Sequence, residues 1–199
     1  MPLKPLAEAC LRNQQPTAEK FQEILGDEKK SVLEIGSGTG QHAVYIGERL
    51  PNLLWQPSEL QNALRGIEAW RNDANLKNVL PALFLDMASE RWPLTENYDV
   101  IFTANTVHFV SWNHVESMLK NIAKYLNAKG LFIVYGPFNK NHQFTSEGNS
   151  SLDVWLKQRD PESGIKDKED FKLLAHKNGL HFLKEFQMPA NNFMLIFNN

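Results

Sequence analysis

The stretch "SVLEIGSGTGQHAVYIGERL", residues 31–50, decides the fold. Its first half is apolar and runs straight into Gly36, Gly38 and Gly40. Its second half, "QHAVYIGERL", spaces apolar residues as a helix does. Strand, glycine-rich turn and helix in immediate succession open a ligand-binding unit of an α/β sheet. Glycines there allow positive φ and let the backbone approach a ligand closely.

The same alternation continues outward. Apolar runs predict strands at 31–36, 53–57, 79–86, 98–105 and 130–136, with helices near 17–25, 41–50, 60–74 and 113–127. In the last helix Val115, Met118, Leu119, Ile122 and Leu126 keep the 3.6-residue period. Strands of nearly continuous apolar sequence are covered on both faces, as in a parallel sheet flanked by helices. The ending is different. A helix near 167–178 leads to "GLHFLKEFQM" (179–188), "PANN" (189–192) and "FMLIFNN" (193–199). Two strands joined by so short a loop pair as an antiparallel hairpin. The expected fold is α/β and Rossmann-like: a mostly parallel seven-stranded sheet, a C-terminal antiparallel hairpin, and helices on both faces.

Composition narrows the function classes. The 199 residues fit one domain, 1–199, and 42% hydrophobic with 22% charged residues is ordinary for a globular chain. A net charge of -2 leaves no electrostatic footprint for nucleic acid. Cys10 is the one cysteine, so there is no internal disulfide framework. No apolar run approaches the ~18 residues of a membrane span, and the N-terminus lacks a signal-like core. A cytoplasmic protein, monomer or homodimer, without nucleic-acid or membrane partners is expected. The histidines show no zinc-ligand spacing, so no metal is expected.

The turn itself discriminates among ligands. Dinucleotide-binding turns read G-x-G-x-x-G, and the third glycine of that pattern falls on Gln41. A P-loop needs Lys and Ser/Thr after its last glycine, where this chain has "GQH". Glu34 places a carboxylate ahead of the turn, which would repel pyrophosphate. S-adenosylmethionine (SAM) carries an ammonium, a sulfonium and no phosphate. Glu34, Gly36, Ser37, Gly38, Gly40, Gln41 and His42 are therefore candidates for SAM, with S-adenosylhomocysteine as product; the alternative is a tight strand-to-helix turn that holds no ligand. At the end of the next strand Glu59 is placed to hold both ribose hydroxyls. Pro57 keeps Gln56 extended and ends that strand; Ser58 with Gln61 also fits a helix capping box. Asp86 and Met87, after the third strand, suit the exocyclic amine and the ring face of adenine.

These segments, together with "RNQQP" (12–16), "WQPSE" (55–59), "NTVHF" (105–109), "YGPF" (135–138), "RDPESGIKD" (159–167) and "MPANN" (188–192), carry a resemblance. The chain resembles a small family of class I SAM-dependent methyltransferases that includes methyltransferase-like protein twenty-six. The resemblance implies the class I fold and SAM binding through the glycine turn and Glu59, and implies no particular substrate. Relatives usually have Asp where this chain has Glu59, and an aromatic where "SSLDVWL" has Leu152. The resemblance also folds the N-terminal segment over the cofactor, with Arg12 on the methionine carboxylate and Asn13 beside it.

A methyl acceptor needs positioning and a route for its proton. Asn105 is a candidate for the cofactor's amino-acid end or the substrate. His108 is the candidate base, its ordinary pKa of ~6.5 suiting neutral pH. "NTVHF" does not match the [DN]-P-P-[YFW] signature of amino-directed DNA methyltransferases and is similar to the "LH" segment of small-molecule methyltransferases. Asn191 and Asn192, in the hairpin loop, are placed in a substrate pocket, with Tyr135, Phe138, Phe144 and Trp155 as an aromatic wall. Residues 136–156 read as an insertion long enough for a lid. The expected function is methyl transfer to a small molecule. A non-catalytic SAM-binding sensor is the alternative, and an NAD(P)-dependent oxidoreductase is disfavoured by Gln41 and the hairpin.

Overall fold

A computed structural model describes residues 4–199; residues 1–3 of the expected domain lie outside the described residues. The elements are α1 (Glu8–Leu25), β1 (Lys30–Ile35), α2 (Gln41–Arg49), β2 (Leu53–Glu59), α3 (Leu64–Ala74), β3 (Leu83–Phe84), β4 (Tyr98–Ala104), α4 (Trp112–Tyr125), β5 (Leu126–Pro137), α5 (Glu147–Arg159), α6 (Lys168–Lys177), β6 (His181–Met188) and β7 (Asn192–Asn198). The strands form a seven-stranded sheet in the order β3-β2-β1-β4-β5-β7-β6. β1, β2 and β3 pair in parallel, and β7 is antiparallel to both β5 and β6. This is the Rossmann-like class I methyltransferase fold expected from the sequence, hairpin included. No helix among the described residues is long and apolar enough to cross a membrane.

The chain divides into two compact units, one running to Asp86 and including Tyr98–Phe102, the other comprising Met87–Asn97 and Thr103–Asn199. In the first, Phe21, Trp55 and Phe102 are fully buried and meet ring to ring, with centroids 5.0–5.9 Å apart. Aromatic pairs at these distances prefer tilted or edge-on geometry, which these adopt. α1 supplies Phe21 and buries Asn13, Thr17, Ala18 and Leu25 on the same side. It starts at Glu8, well before the expected position near 17, and carries Pro16 inside it. Proline in a helix interior removes a hydrogen bond and crowds the preceding turn. Tertiary bonds hold those early turns instead: Ala7 N donates to Gln41 Oε1, and Asn13 Oδ1 accepts from His42.

β2 also outruns its expected end. Trp55 exchanges backbone bonds with Asn78 and Leu80 on its outer side. The next outward N–H would be that of Pro57, which has none. Gln56 Nε2 fills the gap, donating to Pro81 O at 2.6 Å and Pro57 O at 3.0 Å. Strand geometry therefore continues to Glu59. β3 keeps only Leu83–Phe84 of the expected 79–86.

In the second unit Phe132, Phe138, Phe171 and Phe197 form the core, with neighbouring centroids 5.4–6.4 Å apart. The stretch 136–156, expected as a lid insertion, comprises the end of β5, a tethered loop and most of α5. Asn139 ties the loop down, its N–H donating to Lys166 O and its carbonyl accepting from Lys168 N.

Candidate functional site

In the first unit the glycine turn links β1 to α2. Gly36, Gly38 and Gly40 all have positive φ, at 70°, 55° and 87°. The last two serve different ends. A Cβ on Gly40 would lie 2.9 Å from Ile67 Cα, so this glycine lets α3 pack against the turn. A Cβ on Gly38 would meet nothing within 4 Å, so the turn is open there.

Trp55, Ser58 and Glu59 each bond β1 or the turn beyond the strand ladder itself. Trp55 Nε1 donates to Glu34 Oε2 at 3.0 Å, and Ser58 Oγ donates to Glu34 O at 2.6 Å. Ser37 Oγ donates to Glu34 Oε2 and lies 3.1 Å from the Ser58 N–H, while Ser37 N donates to Ser58 O. Glu59 Oε2 accepts from Gly38 N at 3.0 Å, and Oε1 from Leu60 N at 2.8 Å. Ser58 thus works inside the sheet rather than as a helix cap; α3 starts later, after Ala63.

Glu34 is 1% exposed. The expectation of a carboxylate facing the ligand is corrected: it faces Trp55 and Ser37. Burial pushes it up to about 7, against the two hydrogen bonds and with help from the Glu59 charge. Its electrostatic effect on the turn is that of a group ionised only in part at neutral pH.

His42 is also buried, its Nε2 2.7 Å from Asn13 Oδ1 and its Nδ1 3.9 Å from both Cys10 Sγ and Glu34 Oε1. Burial lowers its pKa to about 4, so the ring is neutral at pH 7 and its proton sits on Nε2, facing Asn13 Oδ1. Cys10 is raised to about 11 by burial and by Glu34, and stays a thiol. Gln41 is 2% exposed; Oε1 accepts from Ala7 N and Thr39 Oγ1, and Nε2 has no partner among the described residues. Arg12 is exposed, 3.9 Å from Glu8. Asp86 is half-buried beyond β3, as is Met87.

In the second unit Asn105 follows β4 with φ 54°, its N–H donating to Tyr135 O. His108 is 5% exposed. The expected ordinary pKa is corrected here: burial, then the Lys166 cation, lowers it to about 4. A strap of buried residues, Ser163–Lys168, fixes its surroundings. Gly164 N donates to His108 O, Lys166 Nζ to Val110 O, and Ile165 N to Asp153 Oδ1. Burial depresses Lys166 itself to about 8.

The expected aromatic wall does not form. Tyr135 and Phe138 are 1% exposed, and Phe138 packs on Phe171, because the last six residues of β5 and the residue after them are all buried in the core. Trp155 meets Phe109 edge-on. Phe144 and Asn191 instead line a cleft of about 430 Å³. Asn192 Nδ2 donates to Pro189 O and shapes the hairpin loop. His142, Asp167 and Asp170 bring ligand-type atoms within 4.8 Å, a grouping their spacing did not reveal. Both Asp167 oxygens accept backbone N–H groups, from His142 and Glu169, which accounts for the residue as the cap of α6.

Residues 4–199 match the profile of a family described as "Protein of unknown function (DUF938)". The chain belongs to that family. Solved structures share the DUF938 chain's fold at low identity. A putative O-methyltransferase from Nostoc punctiforme superposes with a TM-score of 0.83 at 15% identity, over 96% of this chain and 56% of that one. Human N-acetylserotonin methyltransferase in complex with SAM gives 0.81 at 13%, over 96% and 53%. An O-methyltransferase family protein from Burkholderia thailandensis gives 0.78 at 15%, over 96% and 57%. The DUF938 chain spans little more than half the length of these proteins. At such identities they establish its fold.

Trp55, Gln56 and Lys166 are not among the site residues expected from the sequence. The signal for the first two was the run W-Q-P-S itself, where a proline inside a strand demands a substitute donor.

Proposed function

We propose that this chain is a SAM-dependent methyltransferase acting on a small molecule, and that it falls within the grouping that includes methyltransferase-like protein twenty-six. The observation that carries the reading is the open side of the turn at Gly38, with the Glu59 carboxylate on its N–H and the unpartnered Gln41 Nε2 nearby in sequence. A buried amide donor without a partner costs about 1–3 kcal/mol, which a ligand acceptor would recover. Each Glu59 oxygen accepts one backbone N–H and retains a lone pair for a ribose hydroxyl.

In this reading Gly36, Ser37, Gly38 and Gly40 shape the floor of the cofactor site. Glu59 takes the ribose, Gln41 a polar group of the amino-acid end, and Asp86 with Met87 the adenine. Glu34 is partly ionised and shifts toward its charged form when a cation binds above the turn. The structural neighbour bound to SAM supports the choice of cofactor by fold. When bound, the sulfonium supplies an electrophilic methyl carbon, and its sulfur departs as the thioether of S-adenosylhomocysteine. Asn105 orients a reactant by hydrogen bonding. His108, neutral at pH 7, accepts a proton from the acceptor's O–H or N–H; its low basicity suits an acceptor that is itself acidic. Cytoplasmic location belongs to the same proposal.

Calorimetry tests it. S-adenosylhomocysteine binds one to one with a Kd in the micromolar range, and NADH gives no heat. No heat with S-adenosylhomocysteine at millimolar concentration, or saturable NADH binding, contradicts the reading.

A further inference from the structure

The second unit holds a cleft of about 430 Å³ to which neither the fold nor the comparisons assign a ligand. Its volume lies in the range of small-molecule sites, about 300–1,000 Å³. Lys168 lines it and is 4% exposed. Among the described residues one of the three N–H donors of its ammonium is used, toward Glu185 Oε1 at 2.6 Å. The Phe193 ring lies 4.7 Å from the same nitrogen. Glu185 is the one acid in the lining, and Lys172 takes its other oxygen at 3.0 Å. Burial opposes the Glu185 charge, but hydrogen bonds from Lys168 and Lys172 outweigh it and hold the carboxyl below its usual range. Lys140 adds a second cation to the lining. Two lysines against one glutamate leave the lining with a net charge of one, positive.

The remaining lining is neutral and directional. Gln143, Gln187 and Asn191 contribute amide side chains to the lining, and Phe144 and Phe193 contribute aromatic rings. Phe144 is 44% exposed without a ring partner among the described residues. The buried ammonium keeps donors for an anion besides Glu185; the exposed Phe144 ring and the half-buried Phe193 ring beside it suit a planar body.

We propose that this cleft binds a planar aromatic carboxylate, its anion on Lys168 and its ring between Phe144 and Phe193. One net positive charge matches a monoanion; a phosphate dianion would leave an uncompensated charge in a half-enclosed site. Identifying this molecule as the methyl acceptor rests on the methyltransferase reading, whereas its binding does not.

The test uses the full chain without SAM and three probes, benzoate, benzamide and phenylphosphonate, titrated by ligand-observed NMR. Benzoate binds at least tenfold tighter than benzamide and tighter than phenylphosphonate, and Lys168→Gln weakens it tenfold or more. Equal affinity for benzoate and benzamide, or no benzoate binding, overturns the proposal. Phosphonate binding as tight as benzoate makes this a phosphate site and overturns it too. If Lys168→Gln does not fold, Lys140→Ala and Phe144→Ala decide: each weakens benzoate threefold or more, and unchanged affinity in both contradicts the assignment. A chain that binds benzoate but not S-adenosylhomocysteine loses the methyltransferase reading and keeps the cleft.

Discussion

Trp55 Nε1 donates a 3.0 Å hydrogen bond to Glu34 Oε2, joining the second strand to the end of the strand that leads into the glycine turn. Trp55 is fully buried and Glu34 is 1% exposed, so water cannot replace either partner. The indole is a core ring and a polar clamp at once. Trp55→Phe keeps most of the packing and removes the donor. It is expected to cost about 1–3 kcal/mol, the penalty for a buried acceptor left short of a partner. Urea denaturation with wild type and variant side by side checks this; equal midpoints would contradict the clamp.

Gly38 and Gly40 separate folding from binding. Gly40→Ala combines positive φ with a Cβ 2.9 Å from Ile67 Cα, and is expected to cost about 2–4 kcal/mol. Gly38→Ala meets only the left-handed backbone penalty, about 1–2 kcal/mol. The methyl at position 38 nevertheless projects into the open side of the turn, so S-adenosylhomocysteine affinity falls tenfold or more. Thermal melting and calorimetry on both variants test the separation. Gly38→Ala binding like wild type would remove the turn from the site.

Glu59 holds the turn through one bond to Gly38 N and keeps lone pairs free. Glu59→Ala is expected to lower stability by no more than about 1 kcal/mol, because the side chain is half-exposed. Cofactor affinity falls at least tenfold, read by calorimetry. Unchanged affinity would place the ribose elsewhere.

Acid sensitivity follows from the buried rings. His42 and His108 sit near 4 in the folded chain against 6.5 when unfolded, so between those values the unfolded chain binds more protons. Their stability contribution is complete above pH 6.5 and is lost as pH falls toward 4, on the order of 3 kcal/mol for each ring. Glu34 works in the opposite sense. Its folded value of about 7 exceeds its unfolded 4.5, so the folded chain gains relative stability as pH falls through that window. Two groups oppose one, and the net expectation is loss of stability between pH 6.5 and 4.5. Glu34→Gln removes the opposition and steepens the loss. Urea titrations at a series of pH values read both slopes; a flat wild-type profile would contradict the buried neutral histidines.

What the sequence disclosed, and what it hid, follows from where each signal resides. The central strands were legible because apolar runs there have no competing pattern, and the hairpin because its loop is short, whereas β2 runs on to Glu59 and β3 shrinks to Leu83–Phe84. α5 was hidden: its buried residues Asn149, Asp153 and Leu156 keep helical spacing, but two are polar, while apolar Val154 and Trp155 are exposed. α1 seemed to begin after Pro16 because the bonds that tolerate the proline come from α2, remote in sequence. Glu34 was read as facing a ligand since its spacing is right; only the fold brings the Trp55 indole to it. The base strength of His108 was invisible for the same reason, being set by burial and Lys166.

The most direct measurement is a crystal structure of the chain grown with S-adenosylhomocysteine. The ribose diol is expected on Glu59 and the backbone of Gly36–Gly40 against the ligand, with Gln41 Nε2 donating to a ligand acceptor. Density for the ligand away from this turn, or a turn closed by the protein's own side chains, would contradict this placement.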